Sequence, residues 1–148
     1  MVQIRTFKLS DSSAVSRLIR KAIKESKDYP PDIQNSLTDE FGSMKVALMS
    51  MSHHCLVVED DGNIVGTAAI EGATVCNFFV HPRYRNSLVG ALLLNAIETK
   101  AYRHKITRLA VGASPTVIPI FEREGYQRTG KRVEASDGQQ TELMKRLA

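Results

Sequence analysis

The sequence predicts one α/β (α+β) domain over residues 1–148, with a mixed, mostly antiparallel sheet of about six or seven strands flanked by about four helices. Two observations carry this prediction. Short runs of alternating apolar and polar residues predict strands, and longer runs with apolar residues three or four apart predict helices. Their order is β-α-(α)-β-β-β-α-β-α-β-β, which lacks the strict alternation of a doubly wound sheet.

The first third of the chain predicts one strand followed by helices. Their bounds are residues 3–9 for the strand, Ser10 or Asp11 to about Glu25 for the first helix, and 33–51 for one or two short helices. The segment Tyr29-Pro30-Pro31-Asp32 separates the helices, because proline lacks the amide N–H that a helix interior uses.

The middle of the chain predicts an antiparallel meander. Its three strands cover residues 54–58, 64–70 and 74–80. Residues 59–63 join the first two strands, and their Asp-Gly pair is typical of a tight hairpin turn. Glu71-Gly72 forms the next turn, so the three strands are expected to lie side by side.

The last part of the chain alternates helices with strands. A helix over residues 88–103 is expected to bury one apolar face, formed by Leu92, Leu93, Ala96, Ile97 and Ala101. After a strand at 106–111, a helix is predicted to start at Ser114 or its neighbour, with Pro115 in its first turn, and to end near Glu124-Gly125. Residues 126–133 and 141–147 form a final strand pair, joined through Ser136-Asp137-Gly138.

Composition excludes several classes of protein. No apolar run approaches the ~20 residues of a membrane span, and the N-terminus lacks a signal-peptide core, so we expect a cytoplasmic protein without a membrane partner. The net charge of +4 comes from scattered basic residues, which argues against a nucleic-acid partner. Cys55 and Cys76 lie in apolar strands as expected reduced thiols, and no residues have zinc spacing, so no metal is predicted.

The turn between residues 80 and 90 is the strongest functional signal in the residues themselves. An apolar strand ends at Val80, Arg83 and Arg85 follow, and a helix starts near Leu88. Amides in the first turn of a helix lack partners within it and carry partial positive charge. This corner is therefore a candidate phosphate-binding site.

Four stretches in this order resemble the GNAT superfamily of acyl-CoA-dependent N-acyltransferases. They are the hairpin Val57–Gly66, the strand and loop Phe79–Gly90, the strand end Leu109–Val111 with Ser114, and the segment Pro119–Tyr126. The second is similar to the family's strand and pyrophosphate loop. The resemblance implies a GNAT-like sheet that splays between its fourth and fifth strands, with acetyl-CoA as cosubstrate in the gap.

The resemblance also implies the residues of the donor site. The pantetheine arm would meet Phe79 and Val80, and the Val80 amide would polarise the thioester carbonyl. The other implied contacts are Arg85, Asn86, Ser87, Leu88, Val89, Gly90, Ser114 and Phe121. Asn86 and Leu88 stand where the family's loop has glycine, so the chain departs from the pattern there.

Two family positions for proton transfer hold residues that cannot perform it: Thr74 replaces a glutamate base, and Phe121 replaces a tyrosine acid. The candidates that remain each have a second interpretation. Glu71 is a base or a solvated turn residue, Asn77 orients a water or is a bonded strand residue, and Ser114 is a catalytic polar group or a helix N-cap. Tyr29 is a candidate acceptor contact, as a wall, as a hydroxyl donor or through packing alone.

The function predicted by the resemblance is N-acetyl transfer to a primary amine by direct attack, because no cysteine stands where an acyl-enzyme nucleophile is expected. The alternative is a CoA-binding module with weak or absent catalysis, which Thr74, Leu88 and Phe121 favour. A partner surface for nucleic acid or protein would rest on the basic isoelectric point alone. The acceptor, a small-molecule or peptide amine, is left open, as is a homodimer.

Overall fold

The structure is a computed structural model that describes residues 1–52, 54–85, 87–135 and 138–147. Its strands are β1 (Val2–Thr6), β2 (His54–Asp60), β3 (Asn63–Glu71), β4 (Thr74–Val80), β5 (Arg108–Ala113), β6 (Gln127–Ala135) and β7 (Gly138–Arg146). Its α-helices are α1 (Ser12–Lys24), α2 (Pro31–Glu40), α3 (Ser43–Ser52), α4 (Val89–Arg103) and α5 (Ile118–Arg123).

The strands form one seven-stranded sheet in the order β1-β2-β3-β4-β5-β7-β6. All neighbouring strands are antiparallel except β4 and β5, which run parallel. The predicted fold class, a mixed and mostly antiparallel sheet with flanking helices, is therefore confirmed. Strand β7 lies between β5 and β6, so β6 reaches the sheet through β7.

Helices cover both faces of the sheet. The alternation of side chains along β2 sends Val57 towards α1, α2 and α3, whereas Leu56 and Val58 join a second cluster with α4 and α5. All three of these β2 residues are buried, as expected for a strand covered on both sides. The core therefore has two apolar layers, one on each face of the sheet.

The hairpin between β2 and β3 follows the prediction. Its two loop residues, Asp61 and Gly62, adopt φ values of 50° and 83°. Positive φ at both central positions is the conformation that matches the twist of a two-residue hairpin, which explains the Asp-Gly pair.

Two predicted helix details are wrong. Leu92 is 42% exposed, whereas its neighbours Leu93 and Leu94 are fully buried, so α4 is rotated relative to the predicted face. Helix α5 begins at Ile118, because residues 115–117 form a turn whose amide groups at Val117 and Ile118 bond to the Ser114 carbonyl. Ser114 is therefore not the N-cap of this helix, and Pro115 is not in its first turn.

The predicted first strand is also too long. Strand β1 ends at Thr6, and a short 3₁₀ turn over Leu9–Asp11 leads into α1. Asp11 occupies the N-cap position of α1, one of the two residues predicted for it. Of the predicted turn at 136–138, Ser136 and Asp137 lie outside the described residues.

None of the helices that the structure describes combines the length and apolar character needed to cross a membrane.

Candidate active site

Strand β4 carries a β-bulge in its second half. The register with β3 shifts so that Asn77 and Phe78 lie opposite the single residue Ala68. Asn77 adopts a φ of 53°, in the left-handed region that asparagine tolerates better than most residues. A bulge of this kind bends its strand and redirects the side chains around it.

Strands β4 and β5 separate just before the bulge. Within the described residues the two strands pair at Thr74 with Ala110 and at Val75 with Val111, near the start of β4. From Cys76 onwards β4 has no ladder partner on that side, so the splay that the resemblance implies between the fourth and fifth strands is present.

The Val80 amide faces this gap. The next residue, His81, donates its backbone N–H to the Val65 carbonyl on β3 at 2.8 Å. Successive residues of a strand direct their amides to opposite edges, so the Val80 N–H points away from β3 and towards the open side. The donor predicted to polarise a carbonyl thus lies on the edge where a ligand can enter.

A cavity of about 310 Å³ lies at the gap, and we call it the inner cavity. It is bounded by β4, β5, the C-terminal part of α2 and the β6–β7 pair. Most of its lining is apolar, and its polar side chains include Tyr29, Glu40, Thr74, Asn77, Ser114 and Gln140. The site therefore has a largely apolar wall with a few polar groups, as small-molecule sites commonly do.

A second cavity of about 450 Å³, the outer cavity, opens between the α1–α2 loop, the end of β4 and α5. It shares Tyr29, Phe78, Phe79, Ser114 and Val117 with the inner cavity, so the two adjoin. Three cationic side chains line it, those of Lys27, Arg85 and Arg123. Two anionic side chains, Glu25 and Asp28, line it as well, so cations exceed anions by one.

The outer cavity is crossed by a polar bridge. The Asp28 carboxylate accepts hydrogen bonds from the Thr116 backbone N–H at 3.1 Å and from the Thr116 hydroxyl at 2.5 Å. The bridge joins the α1–α2 loop to the turn that follows β5, so two walls of the outer cavity are tied together.

The start of α4 lies close to Phe78, which lines this cavity. Ser87 accepts the Val89 N–H at 3.2 Å and donates its hydroxyl to the Tyr84 carbonyl at 2.5 Å, which fixes the loop before the helix. Leu88 makes no side-chain cap bond, and its side chain is 75% exposed. A Cβ on Gly90 would lie 3.8 Å from the Phe78 ring, so Gly90 borders the same wall as the cavities. Asn86 lies outside the described residues.

Arg85 has a structural contact. Its guanidinium donates to the backbone carbonyls of Ala22 at 3.1 Å and Glu25 at 3.4 Å, at the C-terminal end of α1. A cation at this end satisfies free carbonyls and opposes the helix dipole. Arg85 therefore ties the loop to α1 while lining the outer cavity, and its contact with a phosphate stays a prediction.

Two of the three candidate catalytic residues line the inner cavity, and the third does not. Asn77 and Ser114 line it, and Ser114, which is buried, also borders the outer cavity. Tyr29 lines both cavities, and its contact with an acceptor stays a prediction. Glu71 is exposed at the end of β3, opposite Thr74, and lies outside the lining of either cavity. The structure therefore does not bring Glu71 to the other candidates.

Phe121 is fully buried at the base of the inner cavity. Its ring packs edge-to-face against Phe78 and Tyr126, with centroid distances of 5.0 Å to each. Phe78 borders both cavities, so Phe121 supports the wall that they share. It has no proton to give, and its contribution is packing.

Cys76 lines the inner cavity as a free thiol. Burial, with a smaller contribution from the charge of Glu71, raises the pKa of this thiol to about 12. At neutral pH the group is thus a neutral thiol, and the thiolate needed for nucleophilic attack is scarce.

Sequence reasoning missed Glu40, Gln140, Lys27 and Arg123. Glu40 lies in the weakly patterned segment, and Gln140 lies far along the chain from the rest of the cavity. One local signal was available for Glu40: the last turn of α2 contains carboxylates and no basic residue, opposite to the preference of a helix C-terminus.

A split between two parallel strands, with a charged cavity adjoining a largely apolar one, is a site that an extended ligand can enter inside the sheet. The family model described as Acetyltransferase (GNAT) domain matches residues 25–146. The chain belongs to this family.

Comparison with solved structures supports the same fold. A GCN5-related N-acetyltransferase from Rhodopseudomonas palustris gives a TM-score of 0.88 at 22% identity, covering 97% of this chain and 94% of that one. The PaiA N-acetyltransferase of Thermoplasma acidophilum, solved in complex with coenzyme A, gives a TM-score of 0.84 at 14% identity over 99% of each chain. At these identities the likeness concerns the fold.

A curated relative matches part of the chain. An amino-acid acetyltransferase from Haemophilus ducreyi is 34% identical over 76 residues, which are 47% of this chain and 17% of that protein. The matched stretch is thus a small part of the relative's length.

Proposed function

We propose that this protein transfers an acetyl group from acetyl-CoA to a primary amine by direct attack. The observation that carries the proposal is the pair of adjoining cavities at the gap between β4 and β5. The outer cavity has three cationic and two anionic side chains, whereas the inner one has Glu40 as its sole charged side chain among the described lining residues. A polyanionic donor and a cationic acceptor would be drawn to opposite ends of one site.

The donor end of the proposal rests on three features around the outer cavity. The first turn of α4, whose amides carry partial positive charge, suits a pyrophosphate. Lys27, Arg85 and Arg123 of the outer cavity suit its charge. The open edge of β4 offers backbone groups to pantetheine amides, as an exposed strand does to an added peptide. The PaiA protein, which shares the fold, was solved with coenzyme A bound.

The transfer step needs an amine held beside the thioester. The ammonium group of the acceptor first gives one proton to water. The neutral nitrogen then forms a bond to the acetyl carbon, the carbon–sulfur bond breaks with its electron pair on sulfur, and the nitrogen releases its second proton to water. The Val80 amide is the group proposed to stabilise the developing oxyanion. A thiol has a pKa near ~8.5, so the CoA thiolate can leave and take its proton from water.

Two residues support direct transfer. Cys76 is held as a neutral thiol, so it is poorly suited to carry the acetyl group as an intermediate. Phe121 leaves the tyrosine position of the family without an acid, so proton transfer falls to other groups or to water. Most of the rate enhancement would then come from holding amine and thioester together.

The first test is stabilisation by the donor. Acetyl-CoA at about 100 times its Kd should raise the melting temperature by about 5–10 °C. Lys27→Ala removes a cation from the outer cavity and should weaken acetyl-CoA binding by about 3- to 10-fold. Lys24→Ala is the matched control, because Lys24 is equally exposed but lines neither cavity.

The second test is turnover with a panel of primary amines, followed by release of the CoA thiol and by the mass of the product. Acetylated product is expected for at least one amine. Stabilisation by acetyl-CoA without any transfer would instead favour a CoA-binding module, the function to which Phe121 points. If no CoA species stabilises the protein, the proposal that acetyl-CoA is the acetyl donor is wrong.

A further inference from the structure

One carboxylate stands out on the wall of the inner cavity. Glu40 is half-buried, and it is the sole charged side chain among the described residues that line this cavity. No hydrogen bond or ion pair within the described part of the chain involves it. A half-buried carboxylate that no protein group pairs is available to a cation that enters the cavity.

The position of Glu40 is fixed by its neighbour. The Phe41 ring packs edge-to-face on Phe79 of β4, with centroids 5.7 Å apart. The Phe41 carbonyl accepts a hydrogen bond from the Ser16 hydroxyl on α1. The end of α2 is thereby held against both α1 and the strand that borders the gap, so Glu40 is not on a loose loop.

Local stability does not explain a carboxylate here. Glu40 is the last residue of α2, and the last turn of this helix has no basic residue. The C-terminus of a helix carries partial negative charge, so an acidic side chain there is unfavourable. The same partial charge adds to that of Glu40 and makes this wall of the cavity more attractive to a cation.

The described lining of the inner cavity has no cationic side chain to pair with an acceptor's carboxylate. Its other polar lining side chains in the described chain are neutral, among them Tyr29, Asn77 and Gln140. An amino acid would bring its α-carboxylate into a space with one unpaired negative charge and no cation. Such like-charge contact is costly in an apolar surrounding.

We infer that the acceptor is a cationic amine with an apolar body and no carboxylate beside the amine, and that Glu40 recognises its positive charge. This inference rests on the proposed function, because it assigns the inner cavity to the acceptor. It differs from what the amino-acid acetyltransferase relative would suggest, since that class of substrate carries a carboxylate.

The test measures amine binding by calorimetry in the presence of CoA, which has no acetyl group to transfer. The probes are two matched pairs: n-pentylamine with L-norleucine, and 2-phenylethylamine with L-phenylalanine. Each pair differs by the carboxylate alone. The wild-type protein should bind the amine of at least one pair about tenfold or more tightly than its amino acid.

Glu40→Gln should weaken binding of that amine by about 10- to 100-fold, because a charge-assisted hydrogen bond is lost. The melting temperature should stay level or rise, because an unfavourable charge leaves the helix end. Asp39→Asn is the matched control: it relieves the same helix end, but Asp39 is exposed and lies outside the cavity lining, so amine binding should not change.

Equal binding of amine and amino acid, or unchanged amine binding in Glu40→Gln, would overturn the inference. So would a fall in melting temperature for Glu40→Gln that accounts for the lost binding. Failure of the proposed function looks different: amines would then bind in a Glu40-dependent way while acetyl-CoA gave no product. Transfer that is indifferent to Glu40 would leave the proposed function standing and remove the inference.

Discussion

The protonation state of a side chain in the inner cavity limits the catalytic role that it can have. Cys76 shows this most directly, because a thiol beside a reactive thioester invites a covalent role. Burial raises the pKa of Cys76 to about 12, so the nucleophilic thiolate is rare at neutral pH. The residue contributes to the wall of the cavity and leaves the acetyl group to the amine.

Cys76→Ala is expected to keep kcat for acetyl transfer within about threefold of the wild-type value, since no bond to sulfur is required. The intact mass of the wild-type protein should stay unchanged after incubation with acetyl-CoA. Cys55→Ala, which removes a buried thiol outside both cavities, is the control for packing loss. An acetyl group found on Cys76 would contradict direct transfer.

The residues predicted from the sequence were those that lie close together along the chain. The turn from Val80 to Gly90 is continuous, so its strand, loop and helix start could be recognised locally. The acceptor side is assembled from α2, β4 and β7, which are distant in sequence. Glu40 and Gln140 could therefore not be placed in one cavity before the fold was known.

At the scale of elements, the bulge in β4 sets the shape of the site. Asn77 at a φ of 53° shifts the register with β3, directly after the point where the pairing with β5 ends at Val75. Glycine adopts this conformation freely, whereas a β-branched residue is strongly disfavoured there.

Asn77→Gly is expected to keep the bulge, the melting temperature to within a few degrees and the affinity for acetyl-CoA. Asn77→Val should lower the free energy of unfolding by about 1–3 kcal/mol and weaken acetyl-CoA binding, since the strained residue favours a straighter strand. Chemical denaturation and donor titration measure both effects. Equal stability of the two variants would show that the bulge does not depend on this backbone conformation.

The sequence predicts which helices and strands exist, but it does not predict how a helix such as α4 is rotated about its own axis. Each helix and strand carries a period imposed by its own buried face. In α4, however, apolar residues at Leu92, Leu93 and Leu94 form a stripe wider than the face that packs on the sheet. Contact with β2 and β3 selects Leu93 and Leu94 and leaves Leu92 exposed. Likewise, Pro115 and Pro119 are each compatible with the first turn of a helix, and α5 begins next to the second of them, at Ile118.

At the scale of the whole molecule, one ionic network joins the N-terminal strand to the rest of the sheet. Arg5 on β1 makes a two-pronged contact with Asp11 at 2.8 and 2.9 Å and donates to Glu59 on β2 at 2.6 Å. Asp11, which is buried, also accepts the Lys8 N–H at 2.7 Å. Strand β1, the entry to α1 and β2 are thus held at one point.

This network makes stability depend on pH in a defined direction. The hydrogen bonds from Arg5, above all, hold the pKa of Asp11 below its ordinary value. In the unfolded chain the carboxyl titrates near pH ~3.9, so its stabilising contribution is present above that pH. The contribution is lost as the pH falls through the lower pKa of the folded state.

Asp11→Asn should therefore lower the free energy of unfolding by about 1–3 kcal/mol near pH 7, because charge-assisted bonds to Arg5 are lost. The wild-type and variant stabilities should converge as the pH falls below ~4, and thermal melts across this range measure the convergence. Asp39→Asn, at an exposed site, should leave the curve nearly parallel to that of the wild type. A constant gap between wild type and Asp11→Asn at every pH would exclude the ionic origin.

The gap beside β4 has a consequence for how ligands arrive. It arises from backbone register, so it forms when the sheet forms and is present before any encounter. The conformational entropy cost of ordering the gap is therefore part of folding and does not recur each time a ligand binds. A ligand entering between β4 and β5 then meets a preformed slot, and its capture is governed by diffusion and by the charge of the outer cavity, with no rearrangement of the sheet to wait for.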